Sequence, residues 1–433
     1  MKIAVIGSGI SGMAAAHYLA PEHDITLFEA GKVLGGHTAT IDVHHKGRDY
    51  AIDTGFIVFN DWTYPEFIRL MDKLGVKSQP TRMSFSVSDR ESGIEYAGSG
   101  LDALFAQRRN LVSPRFLSLV NGILRFNAQA LRHLAENPRC EEMTLGEYLD
   151  YYRYPDAFRD LYLLPMGAAI WSSGTDGMLK FPLRFFVRFF HNHGLLNIRN
   201  RPQWRVICGG SRSYIAPLTA NYREGIELGN PVRRVTRVQQ SNGRSYVLVE
   251  SERFSATYDQ VIFACHSDQA LRLLADASSK EKTILGAIPY NRNQVVLHTD
   301  ASLLPHNRKC WSSWNVAMNG HAMTESTLTY NMNILQGLES DDTFCVTLNQ
   351  TVAIDPAAII SEFEYDHPVF TEAGILAQER WHEINGTNNT WFCGAYWRNG
   401  FHEDGVWSAL RVARGIDSLV VEDMAPVLLA EAV

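Results

Sequence analysis

The sequence predicts an α/β fold in which a domain built on a parallel sheet is interleaved with a mixed domain of helices and strands. Residues 2–29 read as an apolar strand, an Ala-rich helix and a second apolar strand, which is a βαβ unit of about 30 residues. Residues 100–200 change to a helical pattern rich in arginine and aromatic residues. Strand patterns return over 205–263 and again, mixed with loops, over 285–380. The chain is therefore expected to cross between the two domains several times.

Length and charge narrow the class of protein. The chain has 433 residues, too many for one ordinary core, so two domains are expected. Its net charge of −7 argues against nucleic-acid binding, which needs a basic face to neutralise phosphates. The sequence contains no run of 18 apolar residues, so no transmembrane helix is expected. The apolar N-terminal segment is interrupted by glycines, which is unlike a signal peptide. A cytoplasmic protein is the expectation, with contact at the inner face of the membrane as a further option.

The six cysteines are scattered along the chain and form no CxxC pair. We therefore predict free thiols in a reducing compartment and no metal site.

The strongest motif joins the first strand to the first helix. Gly7 permits the tight turn, Gly9 lets a pyrophosphate approach the backbone, and Gly12 lets the helix pack against the strand. The N–H groups of Ile10 and Ser11, at the positive end of the helix, are expected to face the phosphates. This arrangement predicts a dinucleotide-binding unit.

The residues after the second strand narrow the choice of dinucleotide. Glu29, followed by Ala30, stands where a carboxylate can bind ribose hydroxyls, and Gly35 and Gly36 form a second glycine turn before His37. This layout resembles the superfamily of flavin amine oxidases, protoporphyrinogen oxidases and phytoene desaturases. The resemblance implies FAD and a Rossmann-like, GR2-type domain. His37 departs from the arginine usual there. His37 is a candidate cofactor-binding residue that contacts phosphate or flavin, with a polar loop histidine as the simpler interpretation. FAD is expected to be non-covalent, with a covalent histidyl–flavin link as the alternative.

The resemblance extends to later segments. It implies that Val232 lies beside the adenine and that Gly394 lies near the pyrophosphate or ribityl chain. It also implies that Gly405 and Val406 open a helix whose N–H groups face the flavin pyrimidine ring. Glu403 and Asp404 are expected to cap that helix.

The resemblance divides the chain into two sets of segments. The FAD-binding domain is predicted to comprise 1–78, 205–284 and 381–433, and the substrate-binding domain 79–204 and 285–380.

Five residues are candidates for catalysis because of their position near the expected flavin ring: Trp171, Tyr396, Trp397, Phe401 and His402. Phe401 replaces a tyrosine of the amine-binding cage of related oxidases. The segment 291–296, where those enzymes carry a lysine near flavin N5, has none.

These departures favour hydride removal from an apolar substrate, such as desaturation of a fatty-acyl chain. Segments 165–172 and 400–405 resemble those of bacterial flavoproteins associated with fatty-acyl modification. The aromatic segment 181–196 fits either the wall of an apolar tunnel or an ordinary amphipathic helix. The alternatives are a flavin amine oxidase, a non-redox double-bond isomerase and a non-enzymatic FAD-binding partner of a lipid-modifying complex.

The expected partners are a small apolar or lipid substrate and no nucleic acid, in a monomer or homodimer. Five arginines are interpreted as a solvated helix face, with contact to anionic lipid headgroups as the alternative: Arg108, Arg109, Arg115, Arg125 and Arg132.

Overall fold

The computed structural model describes residues 1–171, 175–241, 243–318, 328–349 and 353–430. Ser172, the last residue of the predicted segment 165–172, lies outside these ranges.

The strands are, in chain order, β1 (Lys2–Ile6), β2 (Asp24–Glu29), β3 (Thr40–His45), β4 (Arg48–Asp53), β5 (Phe59–Asn60), β6 (Ser78–Pro80), β7 (Phe85–Asp89), β8 (Ile94–Ala97), β9 (Trp204–Ile207), β10 (Ile226–Leu228), β11 (Val232–Gln239), β12 (Ser245–Ser251), β13 (Ser255–Tyr258), β14 (Gln260–Phe263), β15 (Tyr290–His298), β16 (Trp314–Met318), β17 (Leu328–Asn331), β18 (Cys345–Leu348), β19 (Ile359–Pro368) and β20 (Thr390–Phe392).

The α-helices are α1 (Ile10–Leu19), α2 (Pro65–Lys73), α3 (Leu101–Leu104), α4 (Pro114–Glu136), α5 (Leu145–Tyr151), α6 (Asp156–Phe158), α7 (Leu164–Trp171), α8 (Thr175–Leu179), α9 (Leu183–Asn192), α10 (Ile215–Thr219), α11 (Ser267–Leu273), α12 (Ser279–Gly286), α13 (Met332–Gln336), α14 (Glu372–Glu379) and α15 (His402–Ala430).

A five-stranded parallel sheet, in the order β10-β2-β1-β14-β20, carries the first motif. The central strand β1 is buried on both faces, with Val5 level with Leu27 on one side and Ile262 on the other. Helix α1 packs on this sheet through small residues, and Ala14, Ala15 and Ala16 are fully buried. Small side chains allow the close approach of helix and sheet that the glycine motif needs.

A second, seven-stranded sheet is mixed, in the order β19-β15-β18-β17-β16-β7-β8. Its pairs are antiparallel except β16 with β7. Smaller antiparallel groups comprise β11-β12-β13, the β3-β4 hairpin and β5-β9-β6.

The helical region from α4 to α9 has a core of aromatic side chains. Phe126 of α4 lies against Phe158, and against Phe186 and Phe190 of α9, with ring centroids 5.6 to 6.4 Å apart. These rings are fully buried. Most of the aromatic segment 181–196 is therefore core packing.

The structure confirms the predicted α/β class with parallel and mixed sheets, and β1 and β2 have the predicted bounds. The last helix begins at His402 rather than near Val406. The reason is that Asp404 accepts hydrogen bonds from the Phe401 and Asn399 N–H groups, which closes the preceding loop early. The strands of the parallel sheet and of the seven-stranded sheet come from separate segments, and the assignment of whole segments to two domains stays a prediction.

Candidate functional site

The carboxyl ends of the parallel strands meet along one edge of the sheet. There the chain leaves β1 through Gly7, whose N–H donates to Phe28 O at 2.8 Å. Gly7 has φ +106°, and a Cβ on it would lie 3.0 Å from the Ala264 backbone, which follows β14. A glycine is thus required both by the turn and by the neighbouring strand.

Gly9 and Gly12 are glycines for opposite reasons. A Cβ on Gly12 would lie 2.0 Å from Gly7 O, so helix and turn already fill this space. A Cβ on Gly9 would meet nothing within 4 Å, and Gly9 gives α1 no side-chain cap. The start of α1 therefore faces open space, as a phosphate-binding helix must.

Glu29 is oriented by the same turn. One carboxylate oxygen accepts from Ser8 N at 3.0 Å and Ser8 Oγ at 2.5 Å, and the other accepts from Gly31 N at 2.6 Å. The carboxylate is thus fixed at the end of β2, while the adjacent Ala30 is exposed.

The second glycine turn lies against the first. Gly35 N donates to Ser8 O at 3.2 Å, and a Cβ on Gly36 would lie 3.3 Å from the Gly9 Cα. Gly55 lies directly behind this turn. A Cβ there would lie 2.1 Å from His37 O. A glycine in a strand pattern is a known signal of such close backbone approach.

The side chain of His37 is half-buried, and its Nε2 is shielded from solvent with no hydrogen-bond partner among the described residues. Its ring lies 5.1 Å from Tyr365, 5.5 Å from His367 and 5.9 Å from His266. Burial, and then the neighbouring histidines, hold the pKa of His37 well below its usual value. The ring is therefore neutral, and a buried unpaired nitrogen indicates a missing partner.

His402 lies at the start of α15, stacked on Phe56 at 3.6 Å. Its Nε2 is 3.0 Å from Tyr214 Oη and 3.2 Å from Thr38 Oγ1, and Thr38 and Tyr214 also contact each other. Burial lowers the pKa of His402 to about 3. Thr38 and Tyr214 were not identified from the sequence, because a threonine and a tyrosine 176 residues apart carry no motif.

Asp53 was also missed, although it joins two parts of the site. It accepts from Thr40 Oγ1 at 2.6 Å, Ser211 N at 2.8 Å and Ser211 Oγ at 2.9 Å. Burial raises the pKa of Asp53 to about 6. These bonds hold the Gly209–Gly210 turn against the β3-β4 hairpin.

The first turn of α15 packs on the first turn of α1. A Cβ on Gly405 would lie 2.8 Å from both Ile10 Cγ2 and Ser11 Oγ, and the neighbouring Val406 is fully buried. The N-termini of two helices therefore converge.

The expectation that Glu403 caps α15 is wrong. Its carboxylate accepts from Phe67 N at 2.9 Å and Glu66 N at 3.0 Å, so it caps α2 instead. The side chain of a residue in the first turn of α15 can reach the start of a neighbouring helix, which sequence spacing does not reveal.

Tyr396 and Trp397 lie beside Gly394, whose N–H donates to Ser408 Oγ at 2.9 Å. The Tyr396 hydroxyl and the Trp397 indole N–H are buried and make no hydrogen bond of good geometry to a described residue. Val232 is buried in the same apolar cluster, which also contains Ile6.

Trp171 does not join these residues. Its indole lies in the helical region, 4.6 Å from Phe181 and 4.7 Å from Phe189. Phe189 in turn lies 5.6 Å from Phe401. Trp171 is thus separated from Phe401 by one aromatic layer.

A cleft of about 290 Å³ opens beside Phe401, between the starts of α2 and α15 and the end of α9. Its lining includes Trp62, Tyr64, His193 and Asp404. Within the described ranges, no group of three or more His, Cys, Asp or Glu side chains has the geometry to hold a metal ion.

The geometry fits a flavin dinucleotide. The open space at Gly9, the oriented Glu29 carboxylate and the unpaired His37 Nε2 are what such a ligand would fill or bind. The fold and site thus define a protein of the dinucleotide-binding α/β class with a site suited to a flavin dinucleotide.

The comparison with known families identifies the family. The family model described as "Flavin containing amine oxidoreductase" matches residues 10–312, more than half of the chain. The protein belongs to this family, as the sequence motifs predicted.

Solved structures share the fold over nearly the whole chain. A putative protoporphyrinogen oxidase from Exiguobacterium sp. 255-15 is 18% identical with a TM-score of 0.67, covering 96% of this chain and 98% of its own. Cyclohexylamine oxidase from Brevibacterium oxydans IH-35A is 16% identical with a TM-score of 0.67, and the match covers 97% of this chain and 99% of the oxidase. A CLA-producing fatty acid isomerase from P. acnes is 16% identical with a TM-score of 0.66, and the match covers 95% of this chain and 98% of the isomerase. No curated protein sequence matches.

Proposed function

We propose that this protein is an FAD-dependent oxidoreductase that removes hydride from a carbon of an apolar, fatty-acyl-type chain, as in desaturation. The observation that carries the proposal is the aromatic packing around Phe401, beside a cleft whose Asp404 and Arg398 charges pair with each other. Phe401 precedes α15, whose first turn packs on the phosphate-binding start of α1.

Phe401 packs against both apolar regions of the protein, the one around α1 and the one around α9. Its ring is nearly parallel to that of Phe189, and Phe185 stacks on Phe370 at 5.3 Å. His193 lies 5.6 Å from Phe401, and burial lowers its pKa to about 4, so it is uncharged at neutral pH. A wall of this kind suits an alkyl chain better than an ammonium group.

When bound, FAD would supply the hydride acceptor, and the chain's own groups would hold it in place. The start of α1 and Glu29 would bind the pyrophosphate and the adenosine ribose. The start of α15 would favour negative charge near the flavin ring through its free N–H groups. FAD is proposed to be non-covalent, with His37 Nε2 contributing a hydrogen bond.

The second candidate is an amine oxidase, favoured by the family description and by cyclohexylamine oxidase among the similar structures. Strand β15 has no lysine. The first buried residue of β15 is Asn293, whose side-chain amide forms hydrogen bonds with Asn349 at 2.8 Å and with His367 at 3.1 Å. The Asp404 carboxylate, in the cleft, already accepts backbone N–H groups and lies 3.6 Å from the Arg398 guanidinium. These groups are thus engaged rather than arranged for a cationic substrate.

An isomerase and a non-enzymatic FAD-binding partner remain further alternatives. The isomerase alternative draws support from the likeness to the P. acnes fatty acid isomerase. It predicts a product of the same mass as the substrate, whereas a binding partner predicts no substrate-dependent change in the flavin.

The test is anaerobic mixing of the FAD-loaded protein with two panels, one of fatty acids and acyl esters of increasing length and one of primary and secondary amines. The expected result is loss of the oxidised-flavin absorbance with acyl chains and none with amines. Flavin reduction by amines alone would contradict the proposal.

A further inference from the structure

Exposed aliphatic side chains are concentrated in residues 101–124, at the start of the helical region and away from the glycine motifs in the sequence. Leu101 begins α3 and is 77% exposed, and Val112 ends the following 3₁₀ turn at 81%. Leu111, Leu117 and Leu124 are between 44% and 51% exposed. We call these five residues the aliphatic patch. Exposed apolar clusters of this kind mark interaction surfaces.

Basic side chains alternate with the patch residues along the chain, and we call them the basic rim. Five lie in the segments 101–117 and 306–311: Arg108, Arg109, Arg115, Arg308 and Lys309. Within these segments the one acidic residue is Asp102, which pairs with Lys309 at 3.0 Å and also with Arg108. Glu95 of β8 also contacts the second segment, but it is buried and accepts the His306 and Asn307 N–H groups. Because the whole chain carries −7, this concentration of positive charge is local.

We propose that the aliphatic patch and its basic rim form a docking surface for an anionic lipid bilayer. Aliphatic side chains that insert at the headgroup boundary, flanked by arginines that meet lipid phosphates, are the chemistry of peripheral membrane binding. No helix in the described part of the chain is long and apolar enough to cross a membrane, so binding would occur at the surface.

A second copy of the chain fits the patch poorly. A two-fold interface would bring the same five cations of both copies together, which repel each other. A nucleic acid also fits poorly, because the centre of the surface is aliphatic and offers neither ring stacking nor hydrogen bonds to bases.

The neighbouring arginines show where the surface ends. Arg125 donates to the Arg153 carbonyl and, more closely, to the Tyr152 carbonyl, and it lies over the Tyr154 ring. Arg132 lies further along α4 and pairs with Glu136 at 3.8 Å. Of the five arginines singled out in the sequence, Arg125 and Arg132 thus have partners within the helical region, and Arg108, Arg109 and Arg115 are assigned to the basic rim.

This docking surface does not depend on the identity of the substrate. It would place α4 at the membrane, and Phe126 of the same helix packs on α9, whose Phe189 faces Phe401. The helical region would then lie between the lipid bilayer and the proposed flavin site near Phe401.

The test uses flotation of the FAD-loaded protein with vesicles of phosphatidylcholine alone or with phosphatidylglycerol added. The wild type is expected to bind the anionic vesicles, and less so as salt is raised. Arg109→Gln with Arg115→Gln is expected to weaken binding roughly 30-fold, since each arginine near the surface contributes on the order of 1 kcal/mol. Leu111→Ser with Val112→Ser is expected to weaken binding by ~10-fold or more.

Matched controls are Arg223→Gln and Val33→Ser, exposed residues elsewhere on the molecule, which are expected to bind like wild type. Unchanged flavin absorbance and melting temperature would show that the variants are folded. Failure of the wild type to bind anionic vesicles at low salt, or equal loss in the controls, would overturn the proposal. So would a concentration-dependent dimer that the Leu111/Val112 variant abolishes.

Discussion

The edge of the parallel sheet and the helical region from α4 to α9 are both densely packed, but by different groups. At the sheet edge the contacts are between backbone atoms: Gly12 against Gly7 O, Gly55 against His37 O. In the helical region they are between aromatic rings, as for Phe126 and Phe186. A backbone contact allows only glycine, whereas an aromatic core accepts many substitutions of similar volume. The sequence of the sheet edge is therefore constrained residue by residue, whereas that of the helical region is constrained only in its apolar character and side-chain volume.

The largest expected effect tests the backbone contacts. Gly12→Ala puts a methyl group where Gly7 O lies 2.0 Å away, so helix and turn must separate. We expect a loss of about 3 kcal/mol of stability and loss of bound FAD, measured by denaturant unfolding and by FAD released from the purified protein.

Gly9→Ala is the matched control, since its methyl meets nothing within 4 Å. It is expected to keep the stability and lose FAD affinity at least ~10-fold, because the methyl enters the phosphate space. An equal loss of unfolding free energy in Gly12→Ala and Gly9→Ala would contradict the different roles assigned to the two glycines.

The pH dependence of stability tests the buried histidine at the junction of the two regions. The pKa of His402 is lowered to about 3, so the unfolded chain binds a proton that the folded protein does not, and stability falls as pH drops below about 6.5. Between pH 7 and pH 5 this histidine is expected to cost about 2 kcal/mol, and His402→Gln should remove that part of the slope.

His191, at the exposed end of α9, provides the control through His191→Gln. Asp53 and Asp404, whose pKa values are raised to about 6, act with the opposite sign, so the comparison is between variants rather than absolute slopes. Identical slopes in wild type and His402→Gln would show that folding does not lower the pKa of His402, which would contradict the buried, neutral state.

Glu29→Gln tests the adenosine end. The amide cannot accept from both Ser8 and Gly31 as the carboxylate does, and it loses the charge for the ribose hydroxyls. FAD affinity is expected to fall by about tenfold in a fluorescence titration. Glu22→Gln, at an exposed turn, is expected to leave the affinity for FAD unchanged. An equal change in affinity in the two variants would contradict the role of Glu29 at the adenosine end.

The smallest effect is expected at the aromatic wall. Phe401→Tyr adds a hydroxyl that can face the open cleft, so stability should change by less than about 1 kcal/mol. Oxidation of acyl chains should persist, and no amine oxidation should appear, because the variant still has no lysine on β15. Flavin reduction by amines in this variant would move the assignment to an amine oxidase.

The difference between the two regions also explains what the sequence alone could predict. The glycine turns, Glu29 and the strands β1 and β2 follow from backbone requirements that few residues meet, and the family comparison confirms the class they indicate. Thr38, Asp53, Tyr214 and His266 could not be found, because their partners are distant in sequence and any of several polar residues can form such contacts. Glu403 was assigned to the wrong helix for the same reason.

The proposed oxidation of an apolar chain is tested most directly by a single anaerobic turnover of the FAD-loaded protein with a long-chain acyl substrate, followed by flavin absorbance and by the mass of the product. We expect loss of the oxidised-flavin absorbance together with a product lighter by one H₂ equivalent. A product of unchanged mass with the flavin oxidised at the end would indicate an isomerase. An unreacted acyl chain, with flavin reduction by amines instead, would contradict the assignment of an apolar substrate.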